Sequence, residues 1–139
     1  MKTQLFFNLT TDAPRPSVYF REAEEVEETV EELRKDGIAV LEIDGAPLSS
    51  TEDLFKAFAI ALRKPTGWYG DEEYASNADA FLEYLDDVVE WIPAKGHVVL
   101  IRNSEQLWRG GARVAGLLTE LWQFSTVTRQ AAIHLIFVW

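Results

Sequence analysis

A chain of 139 residues, 47% hydrophobic and 12% aromatic, has apolar surface for one proper core and too little length for two, so one domain over 1–139 is expected. The 13 Lys and Arg stand against 23 Asp and Glu, a net charge of −10 that argues against direct nucleic-acid binding, because phosphates demand a basic patch. With no cysteine, disulfides, a thiolate nucleophile and metal sites built on Cys ligands are excluded.

In chain order, Leu5, Phe7 and Leu9 alternate partially, which predicts a short strand within Met1–Leu9 before the breaker-rich TTDAPRP turn. Leu5-Phe6-Phe7 is far short of a signal-peptide core and nothing approaches a membrane span, so a cytoplasmic protein without membrane contact is expected. From Glu22 to Lys35, Ala23, Val26, Val30 and Leu33 recur at three- and four-residue steps. This is a helix with a narrow apolar stripe, and the glutamates crowded between Glu22 and Glu32 form its solvated face. Gly37 supplies the left-handed stop.

Ile38–Ile43 (IAVLEI) reads as a buried strand closed by the Asp44-Gly45 turn. Ser49 and Glu52 form a capping box for a helix whose inward face is Leu54, Phe58, Ala61 and Leu62, ending before Pro65. Thr66–Ala75, with two glycines, three large aromatics and several acids, is expected to be an exposed loop. Ser76–Ile92 is a further helix, and Pro93–Gly96 interrupts the pattern before the strand His97–Ile101. A helical turn around Glu105–Trp108, a last helix marked by Val114, Leu117, Leu118, Leu121 and Trp122, and a strand over Ala131–Trp139 complete the chain. Apolar strands separated by helices require crossover connections. The core at 38–139 is thus expected to be an α/β fold, a small three-stranded parallel sheet covered by helices, preceded by an N-terminal extension over 1–37 that carries the acidic helix.

Chemistry-bearing motifs are sparse. No glycine-rich phosphate loop is present, His97 and His134 fall inside strands, and no G-x-S-x-G accompanies them, so a nucleophilic enzyme is poorly supported. Asp71, Glu72, Glu73 and Asp79 lack EF-hand spacing and read as solvated rather than as magnesium or calcium ligands. Asp79 and Glu83 as an acid–base pair for glycoside cleavage is weaker still, since such pairs flank a cleft from different elements. No enzyme activity, metal or cofactor is expected.

The stretch SNADAFLEYLDDVVEWI is the informative one. At the helical repeat Phe81, Leu82, Leu85, Val88, Val89 and Ile92 share one side, while Asp79, Glu83, Asp86 and Glu90 fall within about 60° on another. Ser76 with Asp79 resembles a capping box, and the helix dipole favours an acid there. Capping does not explain Glu83, Asp86 and Glu90, which continue the line without cations at i+4. Stacked like charges cost stability, which points to a face used to dock a cationic site on another protein.

Ile43-Asp44-Gly45, Asp53-Leu54, Pro65, the aromatic-Tyr-Gly at 68–70 and N-A-D-A-F-L-E-Y-L from Asn77 together resemble the barstar family of intracellular ribonuclease inhibitors. That family's pattern is a strand with an I-N/D-G turn, a helix, then P-x-Y-Y/F-G-x-N-x-D-A-L-x-D-x-L, and the likeness runs from about residue 38 through the later strand, helix and terminal strand. Two departures stand out. Six residues separate Gly70 from Asn77, so either Asp71–Ala75 is an insertion or Tyr74 matches the family tyrosine, and the second recognition acid is Glu83 rather than Asp. The resemblance implies an inhibitor whose acidic helix enters the active site of a basic ribonuclease and imitates the charge of RNA. It implies Asp79 and Glu83 as central acids with Asp86 beyond them, Tyr69 or Tyr74 as an aromatic flank, and Asn77 holding the loop to the helix start. The free inhibitor is expected to be a monomer. The competing readings are a barstar-like interaction or immunity module for a partner that is not a nuclease, and a carboxylate- or metal-dependent enzyme.

Overall fold

The computed structural model describes residues 18–128 and 133–139, and the strand expected within Met1–Leu9 lies outside the described residues. In chain order the elements are β1 (Val18–Arg21), α1 (Ala23–Lys35), β2 (Ile38–Asp44), α2 (Thr51–Ala61), α3 (Ala78–Trp91), β3 (Gly96–Arg102), α4 (Ser104–Gly110), α5 (Ala112–Thr128) and β4 (Ile133–Val138). The strands are all parallel, in the order β1-β4-β3-β2.

The α/β fold with a parallel sheet and covering helices is as expected, but the sheet has four strands, not three. The additional strand is β1, whose Val18–Arg21 lie beside Leu135–Val138 of β4. Four residues are too short a window for a period of two to show in sequence. Tertiary contacts define the strand: Phe20 stacks on Phe137 at 5.2 Å and lies 6.3 Å from Trp108.

Alternation along the strands divides the interior into two layers. Ile38 and Val40 of β2, Val98 and Leu100 of β3, and Ile136 and Val138 of β4 pack with Val26, Val30 and Leu33 of α1 on one face. Leu41, Ile43, Val99, Ile101, Leu135 and Phe137 face the opposite side, where α2, α3 and α5 close the larger core. There Phe81 of α3 stacks on Phe55 at 5.1 Å and meets Phe58 edge-on at 4.9 Å, with Trp122 of α5 a further 6.1 Å from Phe58. Burying each such side chain contributes about 1.5–3 kcal/mol. The strands β3 and β4 are covered on both faces, which is why they read as continuous apolar runs.

Polar groups join the layers at their ends. Arg102, at the end of β3, donates to Glu42 of β2 at 2.6 Å and to Glu27 of α1, tying that helix to the sheet. His97 is buried, and its Nε2 lies 2.6 Å from the Ile92 carbonyl at the C-terminus of α3. Burial pushes the His97 pKa down, so the neutral ring is favoured there.

The helix ends refine the sequence reading. The capping box of α2 stands one residue later than Ser49–Glu52. Ser50 is the N-cap and its Oγ accepts from the Asp53 N–H at 3.0 Å, while Asp53 reaches back to the Ser49 N–H at 3.2 Å and hydroxyl at 3.1 Å. At its other end the Arg63 N–H donates to Ile60 O and the Lys64 N–H to Ala59 O, both at 3.0 Å. This Schellman pattern places Arg63 in the left-handed region at φ 54°, a position that glycine ordinarily takes.

Candidate partner-binding surface

Helix α3 begins at Asn77, whose side-chain oxygen accepts from the Ala80 N–H at 2.9 Å. The expected Ser76–Asp79 box is therefore replaced by an Asn77 cap: Asn77 directly precedes the first helical residue, and its extended backbone aims the side chain at the first turn (φ −155°, ψ 174°). Asp79 is the second residue of the helix, where its charge still meets the positive dipole end. Phe81, Leu82, Tyr84, Leu85 and Val88 are buried in the larger core. Asp79, Glu83, Asp86 and Glu90 are exposed on the other side. At 1.5 Å per residue this line of carboxylates runs about 16 Å.

The segment after Pro65 runs back along α3 instead of lying free. Trp68 packs edge-on against Trp91 near the end of α3 at 5.1 Å, and Tyr69 stacks on Tyr84 at 4.6 Å. The Tyr69 hydroxyl donates to Asp87 Oδ2 at 2.5 Å. Gly67 and Gly70 bracket the two aromatics with φ 86° and 68° and pair with each other across the turn, a backbone that few other residues adopt. Burial first, and then the Asp87 carboxylate, hold the Tyr69 phenol well above its ordinary pKa, and the charge of Glu83 acts in the same sense. Tyr69 therefore borders the carboxylate line with its polar tip engaged and its ring largely packed.

Tyr74 stands elsewhere. Its hydroxyl donates to Glu52 of α2 at 2.8 Å, and Lys56 pairs with the same carboxylate at 3.1 Å while lying 5.2 Å from the Tyr74 ring centroid. The hydrogen bond from Tyr74, followed by Lys56, holds Glu52 below the usual carboxylate range. Ala75 is buried, and the Ser76 N–H donates to Glu72 Oε1 at 3.0 Å. The 66–75 segment is thus an anchored element with its tip in solvent. Clefts lie on either side of it: one of about 570 Å³ against Thr51, Glu52 and Phe55, and one of about 400 Å³ lined by Lys64, Thr66 and Gly67.

The arrangement brings Asp79, Glu83, Asp86 and Tyr69 to one surface, with Asn77 beneath its start and Tyr74 fastened to α2. Two residues belong with this surface that the sequence reading did not single out. Asp87 lies one helical turn beyond Glu83, at the margin of the acidic sector. Trp68 is 44% exposed beside the partly buried Trp91, so it, rather than Tyr69, offers a free aromatic face. Its adjacency to Tyr69 in the W-Y-G run was the available signal. Among the described residues no group of three or more His, Asp or Glu is placed to hold a metal ion, and no helix is long and apolar enough to cross a membrane.

Fold and surface define a small parallel α/β protein that presents an acidic helix beside an aromatic loop. Residues 38–131 match the family described as Barstar (barnase inhibitor), and the chain belongs to that family. The match begins at the first residue of β2, leaving β1 and α1 outside it. A comparison with curated proteins gives no match.

Proposed function

We propose that the protein is a stoichiometric inhibitor of a basic ribonuclease, acting as a single domain and as a monomer when free. Its exposed α3 carboxylates enter the enzyme's cationic active site. The observation that carries this reading is the 16 Å line (about 1.5 Å per residue) from Asp79 to Glu90 on the solvent side of a helix whose other side is core. Membership of a family described as barnase inhibitors supplies the class of partner.

The physics is that of charge replacement. A ribonuclease site holds RNA phosphate with Arg, Lys and His side chains, and a carboxylate set at similar spacing satisfies the same donors. Asp79 and Glu83 make the central contacts, Asp86 and Asp87 extend them, and Trp68 with Tyr69 borders the contact on one side. Asn77 fixes the first turn and so the direction of Asp79. Tyr74 serves at a distance by fastening the 71–76 segment to α2. Glu83 has one more rotor than an aspartate, which adds reach at an entropic cost and tunes the choice of enzyme. Opposite fields on the partners speed association, and salt weakens it.

The test is titration of barnase, and of a panel of other basic ribonucleases, with the purified protein while RNA cleavage is followed. Loss of activity that saturates at one inhibitor per enzyme supports the reading. Full activity of every enzyme at excess protein, with no complex by size-exclusion chromatography, contradicts it.

A further inference from the structure

The docking loop is built around a cation of its own. After the Schellman turn at Arg63 the chain leaves α2 at Lys64, and Pro65 bars any continuation of the helix. The Lys64 Nζ donates to the Glu72 carbonyl at 2.5 Å and reaches the Pro65 carbonyl at 3.5 Å. It also lies 5.7 Å from the ring centroid of Tyr69 and 6.0 Å from that of Tyr84, within the range of cation–π attraction. One ammonium thus bears on three parts of the surface at once: the stretch that carries Trp68 and Tyr69, the backbone of the 71–75 segment at Glu72, and α3 through Tyr84.

From this juxtaposition we infer that Lys64 is the positioning residue of the docking surface, fixing the 65–73 loop against α3 so that Trp68 and the Tyr69–Asp87 pair stand ready beside the carboxylates. Three features support the assignment. The ammonium donates to backbone carbonyls, so it orders a chain segment and not merely another flexible side chain. A lysine head group is compact and carries three donors, which suits a seat between a carbonyl and two ring faces. The left-handed turn before it is formed by Arg63, a non-glycine residue, and such a strained conformation persists only where the surrounding structure enforces it. A loop held in its bound shape before contact loses less entropy on binding, so the residue acts on affinity without touching the partner.

The binding arm of this inference rests on the proposed ribonuclease-inhibitor function, whereas its structural arm does not. The experiment compares wild type, Lys64→Met, Lys64→Arg and Asp79→Ala. Backbone order parameters across 66–75 are measured by ¹⁵N relaxation on the free proteins, and binding is measured with barnase as the probe. Met keeps the stem and removes the donors and the charge, while Arg restores a cation that can sit over a ring. In the expected result, Lys64→Met lowers the loop order parameters from about 0.8 to below about 0.6 with the rest of the domain unchanged. It also weakens barnase binding about tenfold, as expected for one charge-assisted bond, and Lys64→Arg recovers part of both. Asp79→Ala weakens binding with the loop still ordered. Unchanged loop order in Lys64→Met overturns the inference, as does a loosened loop with unchanged affinity. If wild type does not bind barnase, the proposed partner fails, and the relaxation data alone still decide whether Lys64 holds the loop.

Discussion

Tyr69→Phe removes one oxygen from the surface beside α3 and leaves the ring in place. The 4.6 Å stack on Tyr84 remains, and the 2.5 Å hydrogen bond to Asp87 is lost. A hydrogen bond to a charged acceptor contributes about 1.5–3 kcal/mol, and partial exposure puts this one at the low end, about 1.5 kcal/mol. For 139 residues at about 2.1 cal/mol/K each, the unfolding entropy is about 290 cal/mol/K, so the Tm falls by about 5 °C. Urea denaturation followed by far-UV circular dichroism at pH 7 measures the difference directly. The pH dependence checks its cause. Burial and the Asp87 carboxylate raise the folded-state pKa of the phenol, so this stabilisation is complete below about pH 10 and is lost as the pH rises through the folded-state value. The gap between wild type and Tyr69→Phe therefore narrows above about pH 10. A gap under about 0.3 kcal/mol at pH 7, or one that widens in alkali, refutes the reasoning.

Two further outcomes follow from the ends of α3. Asn77→Ala removes the cap on the Ala80 N–H and costs about 1 kcal/mol by denaturant titration, while Asn77→Asp, which keeps an acceptor, stays within about 0.3 kcal/mol of wild type. Burial holds the His97 pKa below its ordinary value, so the stability of the neutral ring is present above about pH 6.5 and is lost as the pH falls through the folded-state value. Thermal melts at pH 7.5 and 5 show this acid loss in wild type and a smaller one in His97→Gln; an equal loss in both assigns it to other groups.

The parts of the fold legible in sequence were those with a long, clean period. The strands β2, β3 and β4 announced themselves as apolar runs because both their faces are covered, and α3 did so because its core side and charged side separate over 14 residues. Shorter signals failed for physical reasons. The four residues of β1 are defined by aromatic packing on β4, which no local pattern encodes. Adjacent cap formers were resolved by where each helix starts: Ser50 prevailed over Ser49, and Asn77 over Ser76, as the extended residue directly before the first helical turn. At the surface, the acidic line could be read from the helical repeat, but the loop beside it could not. Whether Tyr69 or Tyr74 borders α3 depends on non-local partners, Asp87 and Tyr84 for one and Glu52 for the other. Trp68 gained its place because Tyr69 turned inward.

The central claim is that the carboxylates of α3, and not acidity in general, engage the partner. Binding of barnase at several salt concentrations by Asp79→Ala/Glu83→Ala, compared with Glu24→Ala/Glu32→Ala on α1, tests it with equal changes in net charge. Circular dichroism verifies the fold of each variant. The α3 pair is predicted to lose at least about 2 kcal/mol, or about 30-fold in Kd, and to show a weaker salt dependence, while the α1 pair stays within about twofold of wild type. An α3 pair that binds within about twofold of wild type, or an equal loss from the α1 pair, contradicts the account.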